Sequence, residues 1–272
     1  MSRFKPRRDV RAEPTESRGR RSGGNRTGSS DVWLYGLHAV AAALLNPERR
    51  PKRLLVTQEA FEALDGALRE TPHAINASPA ERRDIEAVLG PNSVHQGAAM
   101  LCAPLAGAQL EDIGDAPDDG APAPKRRLVI ALDQVTDPHN VGAVLRSAAA
   151  FGAIAVLVPD RHAPEETGTI AKAACGALET VPLVRVPNFV RALGLLKEQG
   201  YWCVGLDGSA NQTLAEQDLP DALVLVLGAE GAGLRRLSLD ACDFTARLPI
   251  RPAMESLNVS NAAAIALYAL LA

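Results

Sequence analysis

The C-terminal half of this 272-residue chain predicts an α/β fold on a parallel sheet, with a smaller α/β unit ahead of it. Three observations predict it. Along residues 128–272, apolar runs of strand length alternate with stretches of helical apolar spacing, the pattern of a parallel sheet covered on both faces. The stretch Glu111–Pro124 is acidic and then rich in Ala, Pro and Gly, without periodicity, and so marks a linker. Before it, Trp33–Pro104 mixes helical and strand patterns on a smaller scale. The expected divisions are a tail at 1–30, a small unit at 31–106, a linker at 107–126 and the main domain at 127–272.

In the small unit, Gly36–Leu45 has helical apolar spacing, Arg53–Val56 reads as a short strand, and Glu59–Arg69 and Pro79–Leu89 read as helices. In the main domain, strands are expected at Leu128–Leu132, Ala155–Val158, Val181–Val186, Trp202–Gly205, Leu223–Leu227 and Phe244–Leu248. Helices are expected at Val141–Phe151, Glu166–Leu178, Phe189–Gln199 and Leu234–Asp240. Ligands of such sheets bind beyond the carboxyl ends of the strands, so the residues just after each strand carry the functional signal.

Charge narrows the classes of partner. Residues 1–30 hold nine Arg/Lys and three Asp/Glu, net +6, while the whole chain is −3, so residues 31–272 carry −9. The tail is too poor in apolar residues to offset chain entropy and is expected to be disordered. A broad nucleic-acid face would need a basic body. Contact with a polyanion must therefore be local, through the tail, Lys125–Arg127, and the cluster Arg49, Arg50, Lys52 and Arg53, expected on a loop after a helix. No apolar run approaches a membrane span, and the Arg-rich start lacks the apolar segment of a secretory leader. Cys102, Cys175, Cys203 and Cys242 have no short pair spacing and the five histidines are dispersed. That pattern suggests reduced thiols in a cytoplasmic protein and no metal site.

Three post-strand stretches carry chemistry. Asp133–Gly152 holds a polar turn with Pro138, then a helix with Asn140 as the expected N-cap and Arg146 about two turns in. An arginine among small residues near a strand end suits bidentate contact with a phosphate. Leu223–Gly233 runs a buried strand into Gly228, Gly231 and Gly233 around Glu230; the spacing is not the dinucleotide fingerprint. Leu248–Ala272 begins with a Pro-stiffened loop, and Ser256 is expected to open a terminal helix. That helix is apolar almost all round and must be buried in the core or against a second subunit. Ser256, Asn258 and Ser260 gather hydroxyl and amide groups at its start.

Asn140 with Arg146, then GAEGAG around Glu230, then SLNVSNAAAIAL around Ser256 and Asn258, resemble the three ordered motifs of the SpoU (TrmH-type) branch of the SPOUT methyltransferases. The resemblance covers residues 128–272 and includes Thr167–Asn188. It implies a catalytic domain whose C-terminal part is threaded into a trefoil knot, which sequence rules alone would not suggest. It implies S-adenosyl-L-methionine as cofactor, held near Gly228, Leu248 and Leu257. The implied catalytic residues are Arg146, Asn140, Glu230, Ser256 and Asn258, acting on a ribose 2′-hydroxyl of RNA, most nearly a guanosine in 23S rRNA. It further implies a homodimer through the C-terminal helix and an RNA-binding role for 31–106. The loop before SLNVS departs from relatives, with Arg251 and Glu255 where small and hydroxyl residues are common.

A ribose hydroxyl is a very weak acid, so methyl transfer to it requires alignment and stabilisation of developing negative charge. Arginine stays protonated, so Arg146 fits a clamp on phosphate and alkoxide better than a base. The residues leave open tRNA as the substrate, or an inactive RNA-binding relative. An oxidoreductase is disfavoured by the missing dinucleotide fingerprint.

Overall fold

The computed structural model describes residues 31–113, 126–251 and 253–271. The expected tail and most of the acidic part of the expected linker lie outside them. Among the described residues, the chain opens with β1 (Val32–Tyr35), α1 (Leu37–Leu45), β2 (Pro51–Val56), α2 (Gln58–Ala63), α3 (Asp65–Glu70), β3 (Ala77–Pro79), α4 (Arg82–Leu89) and β4 (Ala98–Cys102). The strands form a four-stranded sheet in the order β1-β4-β2-β3, with β4 antiparallel to both neighbours and β3 parallel to β2. The sequence pattern predicts no strand at β1 or β4. VWLY is too short, and AAMLC too uniformly apolar, for the alternation that betrays a half-exposed strand. The helix expected over Glu59–Arg69 is broken at Leu64, and the one over Pro79–Leu89 starts only at Arg82, behind a Glu81/Asp84 capping box.

The second part contains β5 (Arg127–Leu132), α5 (Pro138–Phe151), β6 (Ala155–Pro159), α6 (Gly168–Ala174), β7 (Leu183–Val186), α7 (Phe189–Glu198), β8 (Trp202–Leu206), β9 (Ala222–Leu227), α8 (Arg236–Asp240), β10 (Phe244–Ala246) and α9 (Val259–Leu271). Its six strands run in the order β10-β8-β9-β5-β6-β7, every neighbouring pair parallel. The α/β parallel-sheet expectation is met. Side chains alternate across a strand, so each face carries its own core. Leu128, Ile130 and Leu132 face the layer of α5, α6 and α9, while Val129 and Ala131 face α7. Leu110, within the expected linker, packs into the α7-side core.

The first layer is shared with the four-stranded sheet. One continuous apolar cluster runs from Leu34, Val40 and Met100 to Ile130, Val144 and Leu267. A Cβ on Gly168 would lie 2.2 Å from the Trp33 carbonyl oxygen, so only glycine lets α6 approach β1 this closely. Arg49 locks the junction. It is 1% exposed; Nη1 donates to Glu166 Oε1 at 2.6 Å and Nη2 to Glu179 Oε1 at 2.7 Å. Burial alone would lower its pKa, but the hydrogen bond and charge of Glu179, with Glu166, outweigh that and raise it.

Helix ends correct two expectations. Asp137, not Asn140, caps α5: its side chain accepts from His139 N at 2.8 Å, and Pro138 takes the first helical position, where no N–H is needed. Helix α9 starts at Val259 rather than Ser256, with Asn258 Oδ1 accepting from Ser260 N at 2.9 Å. Strand β10 stops at Ala246, which leaves Leu248 in the following loop.

Candidate active site

The carboxyl ends of β8, β9 and β10 open on a cavity of about 370 Å³. Its wall comprises Asp207 and Gly208 after β8, the Gly228–Gly233 loop after β9, Arg247 and Leu248 after β10, and Ser256 and Leu257 on the approach to α9. All three residues expected at the cofactor, Gly228, Leu248 and Leu257, lie on this wall. The need for glycine at 228 is internal: a Cβ there would stand 2.1 Å from the Gly233 carbonyl carbon, where the loop closes on itself. Gly231 and Gly233 take positive φ of 75° and 66°, the left-handed region that glycine enters without strain.

At the cavity edge the three motifs meet. Glu230 Oε1 accepts from Asn140 Nδ2 at 3.0 Å, from Asn258 Nδ2, and from Val259 N at 3.3 Å. Asn258 Nδ2 also donates to Asn140 Oδ1 at 3.0 Å. A carboxylate at the first turn of α9 is favoured by the amides and dipole there. Asn258 therefore caps α9 with its oxygen and joins the cluster with its nitrogen. Ser256 is exposed on the cavity wall, outside this hydrogen-bonded cluster.

Arg146 is not part of the cluster. It stands six residues beyond Asn140, about 9 Å along α5 and on another face. It is exposed, whereas the apolar face of α5 is Val141, Val144, Leu145 and Ala148, so the inward-facing stripe expected for it is not observed. Its Nη1 lies 3.5 Å from Cys175 Sγ.

Sequence reasoning missed the pair that holds the two post-strand loops together. Asp133, fully buried just after β5, accepts from Arg235 Nε at 2.8 Å and from Arg235 N at 3.2 Å. The only sequence signal was an acidic residue ending a buried strand.

Of the expected RNA contacts, Arg49 is corrected: a side chain buried between two carboxylates cannot meet a phosphate. Arg50, Lys52 and Arg53 are exposed, Lys52 paired with Asp31 at 2.7 Å, and the latter two lie on β2 rather than a loop. Arg126 and Arg127 are engaged within the chain, Arg126 donating to the Leu219, Pro220 and Leu270 carbonyls and Arg127 lying over the Tyr201 ring. A larger cleft of about 1050 Å³ lies elsewhere, between the Asn46–Glu48 turn and β7. It contains none of the expected site residues, and its described charged lining residues are acidic except for Arg185, a balance unsuited to a phosphate-bearing ligand.

These features define a class: an α/β protein with a small-molecule cavity at the carboxyl edge of a parallel sheet, beside a Gly-rich loop and an Asn/Glu/Asn cluster. Within that class the chain belongs to the SpoU rRNA methylase family, whose model matches residues 127–268. It is 39% identical to the 23S rRNA (guanosine-2′-O-)-methyltransferase RlmB of Pseudomonas aeruginosa, over 88% of this chain and 95% of that protein. It is 40% identical to the enzyme of the same name from Escherichia coli, over 86% and 96%. The solved structure of the SpoU methyltransferase AviRb from Streptomyces viridochromogenes in complex with AdoMet shares the fold, with a TM-score of 0.73, 24% identity, and 91% and 92% of the two chains covered.

Proposed function

We propose that this chain is an RNA ribose 2′-O-methyltransferase that uses S-adenosyl-L-methionine, with a guanosine of 23S rRNA as its target. The observation that carries this reading is the meeting of Asn140, Glu230 and Asn258 at the edge of the cavity, in a chain about 40% identical to enzymes named for that reaction.

The cavity suits the cofactor's chemistry. Its volume falls in the range of small-molecule sites. Leu206, Leu227, Leu248 and Leu257 offer apolar wall, and the Gly228–Gly233 backbone offers amide and carbonyl groups. The wall carries Asp207, Glu230 and Glu255 and a single arginine, Arg247, an acidic balance that favours a cationic ligand without phosphates over a dinucleotide. When bound, S-adenosyl-L-methionine supplies an electrophilic methyl group on a sulfonium.

The chain's own residues have the remaining tasks. Gly228, Leu248 and Leu257 wall the cofactor, while the Asn140–Glu230–Asn258 cluster fixes the start of α9 against α5. Arg146 clamps the phosphate beside the target and favours the alkoxide electrostatically. Ser256, exposed on the wall, is available to the ribose.

The family resemblance supports three further properties of the protein. The C-terminal segment forms a trefoil knot. Residues 31–106 form an RNA-binding domain, aided by Arg50, Lys52, Arg53 and the basic tail. The protein works as a cytoplasmic homodimer through α9, where Ile265 and Tyr268 are 48% and 64% exposed and Tyr268 meets Phe151 edge-on. No described helix is long and apolar enough to cross a membrane.

Purified protein given methyl-labelled cofactor should label 23S rRNA from cells lacking this activity and leave already modified rRNA unlabelled. No transfer to either, with folded protein and bound cofactor, would overturn the proposal.

A further inference from the structure

Cys175 ends α6 in the left-handed region, at φ 52° and ψ 38°. Glycine usually takes such a position, because a Cβ crowds the neighbouring carbonyl there, or asparagine, whose short polar side chain can hydrogen-bond locally. A cysteine held in this conformation is strained, and such strain collects where a side chain has a task. The thiol of Cys175 has two partners. Its Sγ lies 3.5 Å from Arg146 Nη1 and 3.5 Å from the Lys172 carbonyl oxygen. A thiol both donates and accepts, so the S–H points to the Lys172 carbonyl while sulfur accepts from the guanidinium.

The thiol is backed by a fixed frame. The Lys172 ammonium donates to Gln96 Oε1, and its side chain lies over Gly36, where a Cβ would come within 2.7 Å of Lys172 Cδ. Thr167 caps the other end of α6 through Ile170 N at 3.3 Å. By contrast, Arg146 is exposed, and among the described residues its hydrogen bond is to Cys175 and no carboxylate pairs with it.

We propose that Cys175 is a positioning residue for Arg146, holding the guanidinium in one orientation without neutralising it. This rests on the reading of Arg146 as the clamp on RNA phosphate. The choice of sulfur has a physical reason. A carboxylate would hold Arg146 more strongly but would cancel its charge and occupy donors needed by phosphate. A neutral, weakly accepting thiol narrows the rotamers of a long side chain and leaves its other N–H groups free.

The test is single-turnover methyl transfer by full-length Cys175→Gly, Cys175→Ala and Cys175→Ser chains. Arg146→Ala and the Cys175→Ala/Arg146→Ala double variant are run beside them, with melting temperature and S-adenosylhomocysteine affinity measured for each. Glycine suits the backbone at 175, so its variant should keep its melting temperature and cofactor affinity yet lose rate by about tenfold. Alanine should lose a similar amount. Serine, which restores a donor and an acceptor, should stay within about threefold of the parent. In the Arg146→Ala background the alanine change should add nothing, because the two residues act through one contact. Glycine and alanine variants at parental rate, with Arg146→Ala slow, would overturn the role of Cys175 and leave that of Arg146 standing. Serine as slow as alanine, or a glycine variant that loses cofactor affinity or melts early, would also overturn it in favour of a structural role. Arg146→Ala at parental rate would overturn the reading of Arg146 itself, and the proposal with it.

Discussion

Replacing Arg49 separates a structural arginine from an RNA-binding one. Its guanidinium bridges Glu166 and Glu179 and also donates to the Ala103 carbonyl at 3.3 Å, and it joins the four-stranded sheet unit to the segments just before and just after α6. The Glu166 and Glu179 side chains are only 14% and 5% exposed, so solvent screens the pair little. Arg49→Met leaves two carboxylates in a poorly solvated site without their partner, and removing one side of a buried ion pair costs about 3–5 kcal/mol. For a chain of this size, each kcal/mol lowers the melting temperature by about 2–4 °C, so a fall of roughly 6–20 °C is expected. Adding Glu179→Gln should recover part of it. Thermal denaturation and RNA binding at several salt concentrations are measured together. Arg50→Ala and Arg53→Ala should melt normally and flatten the salt dependence of RNA binding. An Arg49→Met chain that melts normally but loses RNA would show instead that Arg49 meets RNA.

Other outcomes follow from the same geometry. Asn258→Ala removes the cap of α9 and both contacts of its nitrogen; it should cost about 1 kcal/mol in stability but more than tenfold in methyl transfer, read by calorimetry and single-turnover rates. Ile265→Asp with Tyr268→Glu should yield a folded monomer by light scattering, because charges cannot be buried across α9; a dimer that survives places the interface elsewhere. Fully buried His95 accepts from Gly97 N at 3.0 Å through Nδ1, and burial, then the charge of Arg82, push its pKa below the ordinary 6.5, partly offset by Glu86. The unfolded chain takes up the proton first, so melting temperature should fall as pH drops below about 6.5. His95→Asn, which keeps an acceptor for Gly97, should flatten that fall.

Much of the second half was legible because a strand buried on both faces must be apolar along its buried length, as β9 and, after Arg127, β5 are. The Asn140, Glu230 and Asn258 cluster was legible because each residue follows a strand end at the same edge of the sheet. What sequence reasoning lost was long-range. Arg49 looked like part of a basic surface run; its partners lie 117 and 130 residues away, and only the packing of β1 against α6 brings them together. Cys175 looked like an ordinary small residue inside a helix, since nothing local shows that the chain turns left-handed there. Strands β1 and β4 were missed because Ala-rich or very short segments become strands through their neighbours rather than their own pattern.

Methylation of a ribose oxygen at this site can be read chemically. The most direct measurement is mass spectrometry of nucleosides released from 23S rRNA after reaction with isotopically labelled cofactor. Label is expected in 2′-O-methylguanosine, abolished by Arg146→Ala in protein that still binds S-adenosylhomocysteine. Label on a base, or transfer that persists unchanged in Arg146→Ala, would contradict that expectation.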